Sequence, residues 1–315
     1  MDEFEIIRRF FDRPSDNPGI IVAVGDDGAV LRPAPGHDLI SVVDTMVSGV
    51  HFPESLSPSD VGFRAIAVNV SDIAAMGGEP RWMTMALTLV DADVDWLEGF
   101  AKGVFDAGQQ FGVALIGGDI THGSELVVTI QINGEVEPGR ALTRSGAQEG
   151  DGIYVSGTLG DAAAGLSILQ SGAPADADVA YLVQRFARPE PRVDVGRTIA
   201  DYANSAIDLS DGLYTDTEKL LAASKVSGTI ELADIPLSTE LRGLVAIADA
   251  RRFALAGGDD YELCFTGPSE YFDELDEIEG TPITRIGSVG DGQGIACTLD
   301  GKPFDYHDPG YRHFK

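Results

Sequence analysis

Between residues 57 and 78 the apolar positions recur at helical spacing. Ile66, Val70, Ile73 and Gly77 fall four, three and four residues apart, a core-facing stripe. Ser57-Pro58-Ser59-Asp60 starts this helix: Ser57 is the N-cap, Pro58 the first helical residue, and an acid sits in the first turn. Asn69, Asp72 and Met76 share a second face, so polar atoms interrupt an otherwise apolar, small-residue pattern. Ala74, Ala75, Gly77 and Gly78 are small enough for another backbone or a ligand to approach closely. Taken alone, the Ser71-Asp72 pair is accounted for by capping or local hydrogen bonding.

Elsewhere the period shifts between two and 3.6. Residues 20–24 and 39–43 are short β-branched runs that stop at Gly25-Asp26-Asp27 and at Asp44-Thr45, and both predict strands delivering carboxylates at their ends. Residues 82–90 predict a strand and residues 94–111 a helix, with Phe100, Val104 and Ala107 at helical spacing. A strand over 113–116 ends in Gly117-Gly118-Asp119, and residues 126–134 alternate. Turn-rich punctuation at 137–139 and 146–152 marks a domain boundary, giving domains over 1–138 and 149–315. Beyond it come a strand over 152–156, a helix over 160–170 and two further helical stretches to Tyr202. A strand over 205–209 then runs into Asp208-Leu209-Ser210-Asp211-Gly212, followed by a helix to about residue 224. Strands at 229–232, 261–266, 284–289 and 295–298 mix with helical segments in the last third. Without a regular βα repeat, the expected fold class is α+β (mixed α/β).

Composition bounds this picture. The 315 residues suffice for two ordinary domains, and 43% hydrophobic with 23% charged residues is a globular balance. The net charge of −29 is unusual, and only five of the 22 basic residues are lysines. Such a surface disfavours nucleic acid and anionic membranes, because phosphates are repelled unless cations intervene. It also suggests a source living in high salt, where screening tolerates self-repulsion. The opening residues carry acids on both sides of a short apolar run and no small-residue cleavage site, unlike a secretory signal, and no apolar run is long enough to span a bilayer. Cys264 and Cys297 make no disulfide framework, and Cys264 reads as a buried small hydrophobe. A reducing cytoplasm is the expected compartment.

Asp27, Asp44, Asp72, Asp119, Asp208 and Asp211 all lie at the ends of apolar runs or in small-residue turns. Gathered in space they would repel one another strongly unless cations neutralised them. Hard oxygen ligands without accompanying Cys or His point to Mg2+, held with waters and phosphate oxygens, hence to Mg-nucleotide. No P-loop pattern occurs, and the protein-kinase signature set is absent. Basic help for phosphates then falls to arginine. Arg144 lies in a glycine-flanked turn at the expected boundary, although on sequence alone it reads equally as a surface arginine in a linker.

The ordered motifs are GDD at 25–27, D-T-x-V-x-G-x-H-F at 44–52, N-V-S-D-I-A-A-M-G at 69–77, G-G-D at 117–119, L-T-R-S-G-A at 142–147, I-D-L-S-D-G-L at 207–213, G-G-D-D-Y-E-L-C-F at 257–265 and G-Y-R-H-F at 310–314. In this order, over nearly the whole chain, they resemble the thiamine-monophosphate kinase family of the aminoimidazole-ribonucleotide-synthetase-like superfamily. The resemblance implies a two-domain fold whose N-terminal sheet pairs with that of a second subunit in a homodimer. It implies ATP-dependent phosphorylation of thiamine monophosphate to thiamine diphosphate, with several Mg2+ ions, by direct in-line transfer that needs charge neutralisation more than a protein base. Carried over by position, Asp27, Asp44, Asp72, Asp119, Asp208 and Asp211 are implied metal ligands, and Gly118, Asp119, Arg144 and Ser210 implied ATP contacts. His51, Asp259 and Tyr311 are implied contacts of the thiamine phosphate. Without the resemblance, His51 reads as a packed histidine and Tyr311 as a tail anchor.

Four positions depart from the family pattern. Val42 and Val43 stand where Ser and Thr are common, which removes side-chain oxygens beside Asp44; Asp259 replaces the usual Glu, and Ile120 the usual Thr. Superfamily relatives are the nearest rivals. Selenophosphate synthetase wants an N-terminal cysteine or selenocysteine, and the hydrogenase-maturation protein a C-terminal cysteine; neither is present here. A purine-biosynthetic synthetase is the runner-up, and a non-catalytic acidic cation-binding protein is the alternative from another class. The high-salt reading has a direct consequence: the melting temperature rises between low and molar salt in thermal melts, and an unchanged value contradicts it.

Overall fold

The computed structural model describes residues 1–172 and 176–306. By internal contacts the chain divides into two compact units, Met1–Ile73 with Gly78–Gly139, and Ala74–Gly77 with the chain from Arg140 onward.

The first unit opens with α1 (Glu3–Ile6), a π-helical turn at Ile7–Phe11, and an antiparallel pair of β1 (Ile20–Val22) and β2 (Val30–Leu31). Its main sheet holds β3 (Asp38–Val47), β4 (Glu79–Leu89), β5 (Ala114–His122) and β6 (Val127–Val136) in the order β3-β6-β4-β5, accompanied by α2 (Pro58–Ala75) and α3 (Val94–Phe111). The expected start of α2 is observed: the Asp60 amide donates to Ser57 Oγ at 3.1 Å, and that hydroxyl donates back to Asp60 at 2.7 Å. The α2 and α3 backbones meet at Gly62 and Gly103, where a Cβ would strike the carbonyls of Phe100 and Ser59 respectively. Helix α3 covers the residues its periodicity predicts, capped by Asp93 and ended by Gly112 at φ +71°.

Alternation in β6 sets the two faces of this sheet. Val128, Ile130 and Ile132 are buried, whereas Thr129, Gln131 and Asn133 are half-buried on the opposite side. That opposite side is a polar network with apolar gaps. Gln131 donates to Ser41 and accepts from Thr84, Thr45 meets Thr129 at 2.9 Å, and Leu39 and Val43 stand 53% and 61% exposed. Strands β3 and β5 run farther than their apolar runs suggest, because β6 keeps pairing β3 as far as Val47 and β4 keeps pairing β5 as far as His122. Asp44 and Asp119 therefore lie inside strands rather than at their ends.

The second unit is built on an eight-stranded sheet of β7 (Gly152–Ser156), β8 (Ser205–Asp208), β9 (Ser227–Glu231), β10 (Leu263–Gly267), β11 (Glu277–Ile278), β12 (Thr281–Gly290), β13 (Gly294–Leu299) and β14 (Lys302–Phe304). The order is β14-β13-β9-β12-β7-β10-β8, with β11 paired to β12. Its helices are α4 (Asp161–Ser171), α5 (Ala177–Ala187), α6 (Val193–Ile199), α7 (Leu213–Ser224), α8 (Thr239–Leu244), α9 (Ile247–Ala256) and α10 (Ser269–Phe272). Ile153, Val155, Ile207, Leu220, Leu221, Ile230 and Ile286 form the centre of its core. Cys264, in β10, is part of it, as its strand position predicts. Apart from β4 with β5 and β9 with β13, the described strand pairs are antiparallel, so the fold is the mixed α/β arrangement expected from the sequence. No described helix is long and apolar enough to cross a membrane.

Candidate functional site

In the first unit the acidic residues are presented by different elements. Asp27 is exposed in the bend that follows β1, its amide donating to Asp26 at 2.8 Å. Asp72 is half-buried on α2 between the buried Ser71 and Ile73, while Asn69, one turn earlier, donates back to the Ala65 carbonyl at 3.0 Å. Ladder partners share a face, so Asp44 belongs to the row Asp44, Ile130, Met85, Gly118, and Asp119 to the next row, Thr45, Thr129, Ala86, Asp119. Adjacent rows point to opposite faces, and three strand spacings of about 4.8 Å put the two carboxylates on the order of 14 Å apart. Within this unit the fold does not bring Asp44 and Asp119 together. Gly118 has a backbone reason to be glycine, since at φ +155° a Cβ would strike the Met85 carbonyl. His51 accepts from the Val47 amide through Nδ1 at 3.0 Å, which puts the proton of the neutral ring on Nε2.

In the second unit two motif segments interlock. Leu209 N donates to the Glu262 carbonyl at 2.8 Å, Asp259 N to Ser210 at 2.9 Å and Tyr261 N to Leu209 at 3.0 Å. These bonds continue beyond the antiparallel pairing of β8 and β10, where Asp208 stands opposite Leu263. Asp208, Ser210, Asp211 and Asp259 are thereby brought to one end of that strand pair. Gly258 permits the contact, because a Cβ there would meet the Ser210 carbonyl. Arg144 is exposed on a turn that Ser224, the last residue of α7, pins from three sides: its Oγ donates to the Arg144 carbonyl and accepts from the amides of Gly146 and Ala147, each at 3.1 Å. Tyr311 lies outside the described residues.

Sequence reasoning passed over the carboxylates that hold this loop pair. Asp216, in the first turn of α7, accepts from the amides of Ser210 and Asp211 at 3.0 and 2.8 Å, and Lys219 bridges Asp216 and Asp211 at 2.8 and 2.5 Å. The acid in a first helical turn is the one available signal for Asp216. Asp260 accepts from Gly160 N at 2.7 Å and Ala162 N at 3.2 Å at the start of α4; burial pushes it up to about 8, against two donors that favour its charged form. Glu262 accepts from Arg185 at 2.7 Å, from Arg192 at 2.6 and 2.7 Å and from Ser156 at 2.5 Å. Burial alone would raise it, but the two guanidinium groups outweigh burial and hold it below the usual carboxylate range. Asp260 and Glu262 sit in the same motif as Asp259, and nothing in the local pattern says which of the three faces inward.

The donor set suits Mg2+ chemically: oxygens only, with no thiolate or imidazole among the six aspartates. Among the described residues no three His, Cys, Asp or Glu side chains form a cage of their own. Asp211 already has a cationic partner in Lys219, so a metal there displaces or shares that contact. The Asp216 cap gives a stability test. Asp216→Ala strands two backbone donors and lowers the unfolding free energy by about 1–3 kcal/mol, while Asp216→Asn, which keeps an acceptor, loses less in urea unfolding.

The model for "AIR synthase related protein, N-terminal domain" matches residues 25–136. The thiamine-monophosphate kinase of Escherichia coli strain K12 is 46% identical over 319 residues, covering 99% of this chain and 98% of that protein. The crystal structure of thiamine-monophosphate kinase from Stenotrophomonas maltophilia K279a superposes with a TM-score of 0.88 at 43% identity, over 96% of this chain and 98% of that one. The structure of AaThiL complexed with AMPPCP and TMP gives a TM-score of 0.81 at 36% identity, over 93% and 92%. Identity at this level, sustained over essentially the full length of both chains and joined to the ordered motifs that the two units present, places this chain in the thiamine-monophosphate kinase family.

Proposed function

We propose that the protein transfers the γ-phosphoryl group of ATP to the phosphate of thiamine monophosphate, giving thiamine diphosphate and ADP. The observation that carries this reading is the full-length likeness to relatives named for that activity, one of them solved with an ATP analogue and TMP. The chemistry balances without a protein base: an acceptor phosphate oxygen forms a bond to the γ-phosphorus while the bond from that phosphorus to the oxygen of the ADP leaving group breaks.

The residues divide the labour. Asp27, Asp44, Asp72, Asp119, Asp208 and Asp211 hold Mg2+. When bound, Mg2+ supplies the positive charge that lets an anionic acceptor approach an anionic donor. Gly118 and Asp119, on β5, and Ser210, on the interlocked loop, contact the nucleotide. Arg144 offers the phosphates a guanidinium carried on a backbone turn that Ser224 pins. His51, Asp259 and Tyr311 receive the thiamine phosphate; Asp259 attracts the cationic heterocycle and the Tyr311 ring offers it a π face. Val42 and Val43 leave only backbone carbonyls beside Asp44. Two buried free cysteines agree with a reducing cytoplasm.

We also read the open face of the first-unit sheet as a homodimer surface. Leu39 and Val43 are exposed there among Ser41, Thr45 and Gln131, a mixed apolar and polar face suited to a second copy. It is also the face to which Asp119 projects.

The deciding experiment supplies purified protein with ATP, Mg2+ and either thiamine monophosphate or purine-pathway acceptors, and follows product by chromatography. Thiamine diphosphate forms only with the monophosphate, activity disappears with EDTA, and Asp72→Asn lowers kcat/KM by about 100-fold or more. No thiamine diphosphate from wild-type protein sinks the assignment, and cation binding without turnover favours the non-catalytic alternative. For the dimer, light scattering gives twice the chain mass, and Val43→Asp shifts the protein to monomer; a wild-type monomer at micromolar concentration refutes that surface.

A further inference from the structure

The turn carrying Asp259 is strained and clamped from both sides. Asp259 and Tyr261 have φ of +63° and +52°, two of the five non-glycine residues in the left-handed region among those described, and both flank Asp260. An aromatic residue in that region is an outlier, and such conformations persist where the surroundings over-determine them. Here the surroundings can be named. Between the two strained residues, the Asp260 carboxylate is buried and takes one backbone N–H on each oxygen, Gly160 N on Oδ2 and Ala162 N on Oδ1. Immediately after them, Glu262 is fully buried and accepts from Arg185, Arg192 and Ser156, while a Cβ on Gly157 would collide with its carboxylate. Arg185 belongs to the last turn of α5, and Arg192 precedes α6. Four separate elements thus converge on two side chains that, in the proposed reaction, touch no substrate.

We propose that Asp260 and Glu262 are positioning residues: together they force the Asp259–Tyr261 turn against the 209–210 backbone and so fix where the Asp259 carboxylate meets the acceptor. This rests on the reading of Asp259 as a substrate contact. Alternate residues along this segment divide the task, since Asp259 and Tyr261 are half-buried while Asp260 and Glu262 point into the unit. Substrate contact on one side is therefore tied to helix starts and arginines on the other. Ser210 is drawn into the same arrangement, because its carbonyl accepts from Asp259 N.

A double-mutant cycle on the full chain tests this. Asp260→Asn keeps the volume but turns an amide N–H toward one of the two backbone donors, releasing one anchor. It lowers kcat/KM for thiamine monophosphate by about 10- to 100-fold, mainly through KM. In an Asp259→Ala background the same change costs about twofold or less, because the residue being positioned is gone. Arg192→Lys, which keeps the charge but loses the fork onto Glu262, shows the same masking and serves as the second arm should Asp260→Asn fail to fold; melting temperature monitors both. Losses that multiply fully in the double variants overturn the proposal and reduce the two carboxylates to structural residues. An Asp259→Ala enzyme with unchanged kcat/KM overturns the substrate reading of Asp259, and this proposal with it. A wild-type enzyme that makes no thiamine diphosphate identifies the functional reading as the failure.

Discussion

Glu262 is a carboxylate with no exposure to water, and the second unit is arranged so that it can remain charged. Two guanidinium groups and a serine hydroxyl occupy its oxygens, and each donor arrives from a different element. An ion cluster of this kind adds little net stability over a packed apolar core, but removing one member leaves buried charge uncompensated, at a cost of about 3–5 kcal/mol. Its consequence is geometric. Just before Glu262 the backbone at Tyr261 and Asp259 lies in the left-handed region, and residues 259–262 are tied to 209–210 by backbone hydrogen bonds. Ser210 and Asp259 are bonded to each other within that lock, and Asp216 and Lys219 hold Asp211 beside it.

The first unit solves a different problem, that of displaying several carboxylates without concentrating their repulsion. The β3-β6-β4-β5 ladder sends Asp44 and Asp119 to opposite edges and opposite faces, while Asp27 stands on a bend and Asp72 on a helix. Dispersed in this way, the Asp44 and Asp119 carboxylates repel each other less than side-by-side acids would. The arrangement suits Mg2+, which takes few protein ligands and completes its shell with phosphate and water. Gly62 and Gly103 contribute indirectly, since the close approach of α2 and α3 that they allow sets the helix on which Asp72 sits.

Much of this was legible in the sequence because it is written locally. The periodicity of residues 94–111, the Ser57 cap and the strand around Cys264 each depend on interactions within a few residues, and each is observed. The ordered motifs identify the family because sequence likeness needs no geometry. Strand lengths were less legible: β3 reaches Val47 and β5 reaches His122 because partner strands continue, and a partner strand is invisible to a local pattern.

The sequence by itself determined the mixed α/β class, most of the elements, the family, and the residue types on which the proposed chemistry draws. Only the tertiary structure decided which acids face which way. Asp259, Asp260, Glu262 and Asp216 look alike as residues, yet Asp259 is half-buried on a strained turn while the other three are buried, held by helix starts, arginines and a lysine. Likewise, that Asp44 and Asp119 project to opposite faces follows from cross-strand register alone. The physical reason is common to both cases. A carboxylate's role is set by the donors and charges around it, and for Asp260, Glu262 and the strand acids those come from positions tens of residues away, brought close only when the sheets and helices pack.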